Sequence, residues 1–220
     1  MQDFLNDLKK FPITLVGYIF LAIGIMFTMR SGVGMSPWGV FHEGLNVLTG
    51  ISFGVITQLV GLVVLVISVG FLKTKVGLGT IFNVLLVGWF IDLADQYFLY
   101  IPKSITSQYL LFLVGLVVLC FGRSLYIASR LGPGPRDGLF VGLSRVLHME
   151  VKFVKPAIEL TVLFFGYLFG GTFGPGTIIA ALSSGYLVQV FFQLFSYDPS
   201  IKSESNIFRY FMIKGPSNSK

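Results

Sequence analysis

Cysteine and histidine are scarce in this chain of 220 residues, which contains one cysteine and two histidines. The single cysteine, Cys120, lies inside an apolar run and has no second cysteine with which to form an intramolecular disulfide. The two histidines, His42 and His148, are far apart in sequence and lack the spacing of metal ligands. We therefore expect neither a bound metal nor a cofactor.

Charged residues make up only 12% of the chain, against 54% hydrophobic residues. This charged fraction is about half that of an average soluble domain. Apolar stretches recur along the chain, most of them close to the ~20 residues that a spanning helix needs. They cover residues 11–29, 53–72, 78–94, 108–128, 157–173 and 175–195. The pattern predicts six membrane-spanning helices.

The formal net charge is +6, and the basic residues lie mainly between the apolar stretches and in the C-terminal tail. In those places Lys and Arg orient a membrane protein and contact anionic lipid headgroups. We therefore expect membrane lipids, and not nucleic acid, as partners of these residues.

Catalytic motifs are missing as well. The chain has no Gly-x-Ser-x-Gly elbow, no His-Glu-x-x-His motif and no phosphate loop that ends in Lys-Ser or Lys-Thr. The stretch "SGVGMSPWG" follows an apolar helix instead of a strand, so it does not fit a dinucleotide-binding fingerprint. We predict that the protein is not an enzyme.

The chain contains an internal repeat. A shift of 98 positions aligns glycine, serine and proline residues of the first half with those of the second, and a shift of 97 does so further along. The matches at 98 include Gly17 with Gly115, Gly24 with Gly122, Ser31 with Ser129, Gly34 with Gly132, Pro37 with Pro135 and Gly44 with Gly142; those at 97 include Gly77 with Gly174, Gly79 with Gly176, Thr80 with Thr177 and Gly88 with Gly185. We predict two units of one membrane domain, residues 11–103 and 104–197, between a cytoplasmic segment 1–10 and a cytoplasmic tail 198–220.

Each unit has a Gly- and Pro-rich break after its first span. The structural residues of the breaks are Gly34, Pro37, Gly132, Gly134 and Pro135, because glycine permits positive φ and proline fits the first turn of a helix. The helical stretches that follow, 38–49 and 136–148, are about 18–20 Å long at ~1.5 Å per residue, too short for a ~30 Å bilayer core. They are predicted to be re-entrant half-helices.

The basic residues predict the orientation. With a cytoplasmic N-terminus and non-spanning half-helices, only Arg30 and Lys103 of the sixteen Lys and Arg residues lie outside, in agreement with the positive-inside rule. Three spans per unit is an odd number, so the units run in opposite directions. The predicted fold is an all-α membrane protein of six transmembrane helices and two re-entrant half-helices, arranged as a 3+3 inverted repeat.

A helix N-terminus attracts anions, and two half-helix N-termini that meet near the midplane are a recurrent arrangement in transporters. The candidate substrate-binding residues are Arg136, Asp137, Arg130, Arg30, Ser36, Trp38, Asp92, Gln189 and Glu159. Other roles compete with binding. Arg30 and Arg130 are also placed to anchor the protein at the interface, and Arg136 is placed to pair with Asp137. Glu159 is a potential partner for Arg123 or a proton carrier, Asp92 is a second potential proton carrier, and Asp95 is expected to be solvated.

The breaks "GVGMSPWGVFHEGL" and "LGPGPRDGLFVGL" resemble those of the YitT/YczE group of bacterial integral membrane proteins, on the YczE side. The run Gly134 to Gly138 is the more specific of the two, and the likeness extends over most of residues 10–195. The resemblance implies a multi-pass protein of the bacterial inner membrane and brings no activity or substrate with it.

We therefore expect a transporter or channel for a small polar or anionic solute. Two alternatives are a non-transporting scaffold or regulator that binds a partner through its basic inner face, and a lipid-interacting protein. The discriminating feature is the interior. A water-filled pocket at the half-helix starts favours transport, and a dry, Phe-packed interior favours a scaffold.

Overall fold

The computed structural model describes residues 6–74 and 76–198, and within these ranges the secondary structure is helical, without strands. The helices are α1 Phe11–Ser31, α2 Pro37–Thr49, α3 Phe53–Gly70, α4 Leu78–Tyr97, α5 Ile105–Ala128, α6 Pro135–Leu147, α7 Val151–Leu168 and α8 Pro175–Leu194. Residues 6–10 of the predicted segment 1–10 are included, whereas its residues 1–5 and residues 199–220 of the predicted tail lie outside the described residues.

Five helices of the described chain are long and apolar enough to cross a membrane: α1, α3, α4, α5 and α8. The helix α7 is not among them, because its 18 residues contain Lys152, Lys155 and Glu159. It also begins at Val151, six residues before the apolar stretch predicted at 157–173, and it ends at Leu168, where the chain turns through Gly170 with φ 93°. The all-helical, multi-span prediction is thus confirmed for five of the six stretches.

The two short helices begin at the prolines of the breaks, α2 at Pro37 and α6 at Pro135. Just before them, Gly34 and Gly132 have nearly identical positive φ angles of 128° and 126°, a conformation that only glycine adopts readily. Gly134 has φ −63° and needs no such freedom. The chain therefore makes the same turn in both units.

The first helices of the two units, α1 and α5, form the central pair and run antiparallel. The hydroxyl of Thr14 near the start of α1 donates to Ser129 Oγ, directly after α5, over 2.8 Å. At the opposite end, a Cβ added to Gly115 would lie 2.9 Å from the backbone nitrogen of Thr28. Gly17 and Gly24 also lie close to the backbone of α5, which confirms the close-packed glycine face expected from their spacing.

Each break contacts the start of the last helix in the other unit. The N–H of Gly176, in the first turn of α8, donates to Val33 O over 3.1 Å. In the same way, the N–H of Gly79, in the first turn of α4, donates to Leu131 O over 2.8 Å. The repeat relates Val33 to Leu131 and Gly79 to Gly176. The two contacts are therefore equivalent and exchanged between the units.

The short helix α2 returns to the end of the bundle that α1 has just reached. At that end Arg30, near the end of α1, pairs with Asp95 in the last turns of α4 at 2.6 Å. One turn earlier in α4, Asp92 accepts hydrogen bonds from the hydroxyl of Ser52 and the N–H of Gly54 at the start of α3. Since α3 starts only four residues after α2 ends, the end of α2 lies at this same end.

One interface differs between the units. In the first unit α3 packs closely on α4, and a Cβ added to Gly88 would lie 2.5 Å from Gln58 Cγ and still closer to the carbonyl of Gly54. In the second unit α7 and α8 have no comparable contact. Gly185, the repeat counterpart of Gly88, has no atom within 4 Å of an added Cβ. The second unit is therefore open where the first is closed.

Candidate functional site

A cavity of about 130 Å³ lies where the first turns of α2 and α6 meet. Its walls include Ser36, Pro37 and Trp38 from one short helix, and Gly134, Pro135, Arg136 and Asp137 from the other. Since about 10–15 Å³ of such space accommodates a water molecule, the cavity has room for several waters or a small solute.

The walls of the cavity follow the internal repeat. At a shift of 98 the lining pairs are Leu21 with Leu119, Ile25 with Arg123, Thr28 with Tyr126, Ser36 with Gly134, Pro37 with Pro135, Trp38 with Arg136 and Gly61 with Glu159; at 97 they are Asn83 with Ala180, Val84 with Ala181 and Val87 with Ser184. Corresponding residues of the two units therefore line the same cavity. Its charged residues, Arg123, Arg136, Asp137 and Glu159, all come from the second unit.

Arg136 joins the two short helices. Its Cζ lies 4.6 Å from the centre of the Trp38 ring, within range of a cation–π interaction, and its Nη2 lies 3.2 Å from His42 Nε2. No carboxylate of the described residues lies within salt-bridge distance of Arg136. Its guanidinium charge is therefore not balanced by a direct ion pair, and the predicted pairing with Asp137 is wrong.

The hydrogen bonds of His42 determine its tautomer. A guanidinium only donates, so His42 Nε2 accepts from Arg136 and carries no proton. The hydroxyl of Thr57 donates to Phe53 O over 2.9 Å, which leaves its oxygen to accept from His42 Nδ1, also at 2.9 Å. A neutral histidine with its proton on Nδ1 therefore holds Arg136 in place. His42 itself is 2% exposed.

Asp137 pairs with Arg123 of α5, whose Nη2 lies 3.1 Å from Asp137 Oδ1. Glu159 was the predicted alternative partner of Arg123, but its Oε1 lies 3.9 Å from Lys155 Nζ, one turn earlier in α7. The predicted Arg123–Glu159 pair is thus replaced by two others. Arg123 is neutralised within the cavity wall, and Arg136 is not.

Two buried N–H donors of the cavity walls have no hydrogen-bond partner among the described residues. They are Nε1 of Trp38 and Nδ2 of Asn83. Trp38 is 6% exposed, and a buried donor without a partner costs about 1–3 kcal/mol. Trp38 and Asn83 therefore each bring an unsatisfied N–H donor to the wall that also contains Arg136.

The remaining candidate residues lie outside the cavity lining. Arg30 pairs with Asp95, which corrects the expectation that Asp95 is only solvated. Asp92 caps the start of α3, and Gln189 is exposed on α8. The Cζ of Arg130 lies 4.5 Å from the centre of the Tyr197 ring. Of the nine candidates, the structure brings together Ser36, Trp38, Arg136, Asp137 and Glu159.

Sequence reasoning missed His42 and Thr57 as parts of the site, and it considered Arg123 only as a partner of Glu159. The repeat offered a usable signal for Arg123. A shift of 98 relates Ile25 to Arg123 and Thr28 to Tyr126, and all four residues line the cavity. Among residues 6–74 and 76–198 no group of His, Cys, Asp and Glu side chains is arranged to hold a metal ion.

Comparison with known proteins identifies the family. Residues 8–193 match the family of unknown function DUF6198. The chain belongs to this family. The match covers the first unit, residues 104–193 of the second unit, both breaks and every residue of the cavity wall.

Three bacterial relatives are similar to this chain over most of their lengths. An "Uncharacterized protein" of Haemophilus influenzae is 33% identical over 89% of each chain. The "Uncharacterized membrane protein YczE" of Bacillus subtilis is 30% identical over 79% of this chain and 80% of its own. The "Uncharacterized protein YyaS" of the same organism is 25% identical over 80% and 89%. The predicted resemblance to YczE-type proteins is confirmed.

No solved structure matches the chain significantly. The similarity to the membrane protein YczE and the five apolar helices together show that this DUF6198 protein is a membrane protein.

Proposed function

We propose that this protein is a transporter that carries a small anionic solute across the bacterial inner membrane through the cavity between α2 and α6. The observation that carries the proposal is the position of Arg136. Its guanidinium lies at the start of one short helix, stacks on the other and has no carboxylate partner among the described residues. Two helix N-termini and a free cation in one cavity favour an anion.

We further propose that α7 is the sixth spanning helix and that the units form a 3+3 inverted repeat with two re-entrant half-helices. The antiparallel α1–α5 pair, the exchanged contacts of Val33 and Leu131, and the paired cavity walls support this arrangement. Lys152 and Lys155 lie in the first turns of α7, where long basic side chains reach the headgroups. Both termini are then cytoplasmic.

The unequal interfaces support alternating access. In alternating access, the two halves of an inverted repeat exchange conformations during transport, so in any one state they differ. Here α3 packs closely on α4, whereas α7 and α8 are separated by a gap. In the exchanged state α7 and α8 close through Gly185, and α3 and α4 separate at Gly54 and Gly88. The scaffold alternative, which needs a dry interior, is less favoured because charged residues line the cavity.

Uptake into proteoliposomes tests the function. We expect the purified protein to transport at least one labelled small anion from a panel of lactate, pyruvate, nitrate and phosphate. Arg136→Gln should reduce that uptake at least about 30-fold, because it removes the charge that the anion contacts. Lys152→Gln removes the same charge from an exposed position on α7 and should leave uptake unchanged. Identical rates in protein-free liposomes and in all three proteins would refute the transport function.

Cysteine labelling tests the inverted topology. Thr49 and Leu147 are repeat counterparts at the ends of α2 and α6, and both are exposed. In a Cys120→Ala background, Thr49→Cys should react with a membrane-impermeant maleimide added to intact cells. Leu147→Cys should react only after the membrane is permeabilised, since its half-helix enters from the cytoplasm.

Cys120 is the single cysteine of the sequence, so the Cys120→Ala background contains no thiol and should show no labelling on either side. If Thr49→Cys and Leu147→Cys label from the same side, the two half-helices do not enter from opposite leaflets and the two-fold scheme is wrong.

A further inference from the structure

We infer that the solute is a small organic monocarboxylate, whose carboxylate binds Arg136 together with the free N–H groups of Trp38 and Asn83. The inference rests on the proposed function and specifies its substrate class.

The charges of the wall favour a single negative charge. Arg123 is neutralised by Asp137 at 3.1 Å, and Glu159 has Lys155 at 3.9 Å. Arg136 is the cavity cation without a carboxylate partner within the described chain. One guanidinium balances one charge, so a second negative charge on the ligand would lie beside Asp137 and Glu159 without compensation.

The donor geometry favours a carboxylate. The Cζ of Arg136 lies 4.6 Å from the centre of the Trp38 ring, and one N–H of Nη2 donates to His42 Nε2, which leaves another edge of the planar guanidinium to donate. That edge is a planar fork that matches the two oxygens of a carboxylate. Trp38 Nε1 and Asn83 Nδ2 provide two further N–H groups without partners, and a carboxylate has up to four lone-pair directions to satisfy them.

The first unit gives the ligand an apolar surface. Where the second unit has Arg123, the first unit has Ile25, and Val84 and Val87 of α4 line the same wall. A short carbon chain gains free energy by burying its apolar surface there, whereas an inorganic oxyanion has no carbon to bury. The division of the wall into a charged and an apolar part thus fits a carboxylate with a short tail.

Binding to the purified, detergent-solubilised full chain tests the inference by isothermal titration. The probes are acetate, propionate and butyrate, with propionamide as the uncharged analogue of propionate, alanine as its zwitterionic analogue, and nitrate and sulfate as inorganic anions. We expect at least one of the three monocarboxylates to bind more tightly than every other probe, and propionamide not to bind.

Two variants locate the carboxylate. Trp38→Phe keeps an aromatic ring beneath Arg136 and removes Nε1–H, so it should weaken binding of the preferred monocarboxylate about tenfold or more, the usual effect of one hydrogen bond to a charged group. Arg136→Lys keeps the charge and loses the planar fork, and should weaken binding further. Lys152→Gln serves as the control and should bind as the wild type does.

The outcomes separate this inference from the proposed function. Tighter binding of nitrate or sulfate, lost in Arg136→Gln, overturns the monocarboxylate class and leaves an anion site. Tighter binding of alanine than of propionate overturns it in favour of a zwitterion shared between Arg136 and Glu159. Wild-type affinity in Trp38→Phe overturns the assigned contacts. If no probe binds and no anion is taken up, both proposals fail.

Discussion

Gly24→Ala should destabilise the protein by about 3 kcal/mol, at the upper end of the range for an added methyl group in a packed interior. A Cβ at Gly24 would lie 2.5 Å from Leu119 Cα and 2.6 Å from Leu119 Cβ. Because the obstacle is the backbone of α5, no change of side-chain rotamer relieves it, and α1 and α5 must separate. The pair carries both breaks, so their separation also displaces the starts of α2 and α6.

Gly185→Ala is the matched control, since it adds the same methyl group within a long apolar helix where no atom lies within 4 Å. It should change stability by less than about 1 kcal/mol, and in the stabilising direction, because alanine is the better helix former. Thermal unfolding in one detergent, with the monodisperse fraction measured by size-exclusion chromatography, compares the two. Equal melting temperatures for Gly24→Ala and Gly185→Ala would show that α1 and α5 are not in close contact.

The spanning helices were the most predictable part of the fold, because bilayer thickness fixes both their length and their composition. The start of α7 was missed for the same reason. Lys152 and Lys155 interrupt the apolar pattern, yet lie within the helix. A count of apolar residues therefore omits the part of a helix that contains lysine, even though that part is helical.

The glycine contacts could be predicted because spacing alone sets the face of a helix. Gly17 and Gly24 are seven residues apart, as are Gly115 and Gly122, and seven residues is close to two helical turns. The direction of the α1–α5 pair followed less directly, from an odd number of spans in each unit.

The candidate residues that follow each break line the cavity, and those that precede it do not. Ser36 and Trp38 follow the first break and line the cavity, whereas Arg30 precedes it and stays at the end of α1. The same holds for Arg136 and Arg130 in the second unit. Residues after a break belong to the first turn of a short helix that lines the cavity, and residues before it remain where the preceding long helix ends. Composition near a break does not distinguish these two positions.

Ion-pair partners could not be predicted from the sequence. Arg123 and Asp137 are 14 residues apart and separated by the break, so their distance depends on the path of the chain through Gly132 and Gly134. Asp137 was expected beside Arg136, but adjacent residues of a helix point in different directions and do not face each other. Arg123 lies in α5, so the spacing of residues within α6 could not identify it as the partner of Asp137.

Arg123→Gln and Asp137→Asn should each destabilise the protein by about 2 kcal/mol, and the double variant should lose less than the two singles combined. Breaking a fully buried pair costs about 3–5 kcal/mol because one charge is left without its partner. The Arg123 and Asp137 side chains keep 31% and 28% exposure, which reduces the expected cost. In the double variant neither charge remains, so the double-mutant cycle should give a coupling free energy of about 2 kcal/mol.

The Lys152–Glu150 pair provides the matched cycle. Its Nζ–Oε2 distance of 2.9 Å is shorter than that of the Arg123–Asp137 pair, but its side chains are 63% and 68% exposed, and exposed pairs contribute about 0–1 kcal/mol. Lys152→Gln and Glu150→Gln should therefore show little coupling. If both cycles give the same coupling free energy, the Arg123–Asp137 pair is as well solvated as a surface pair. The cation of Arg123 would then not be neutralised within the wall, and the selection of a single negative charge by Arg136 would lose its basis.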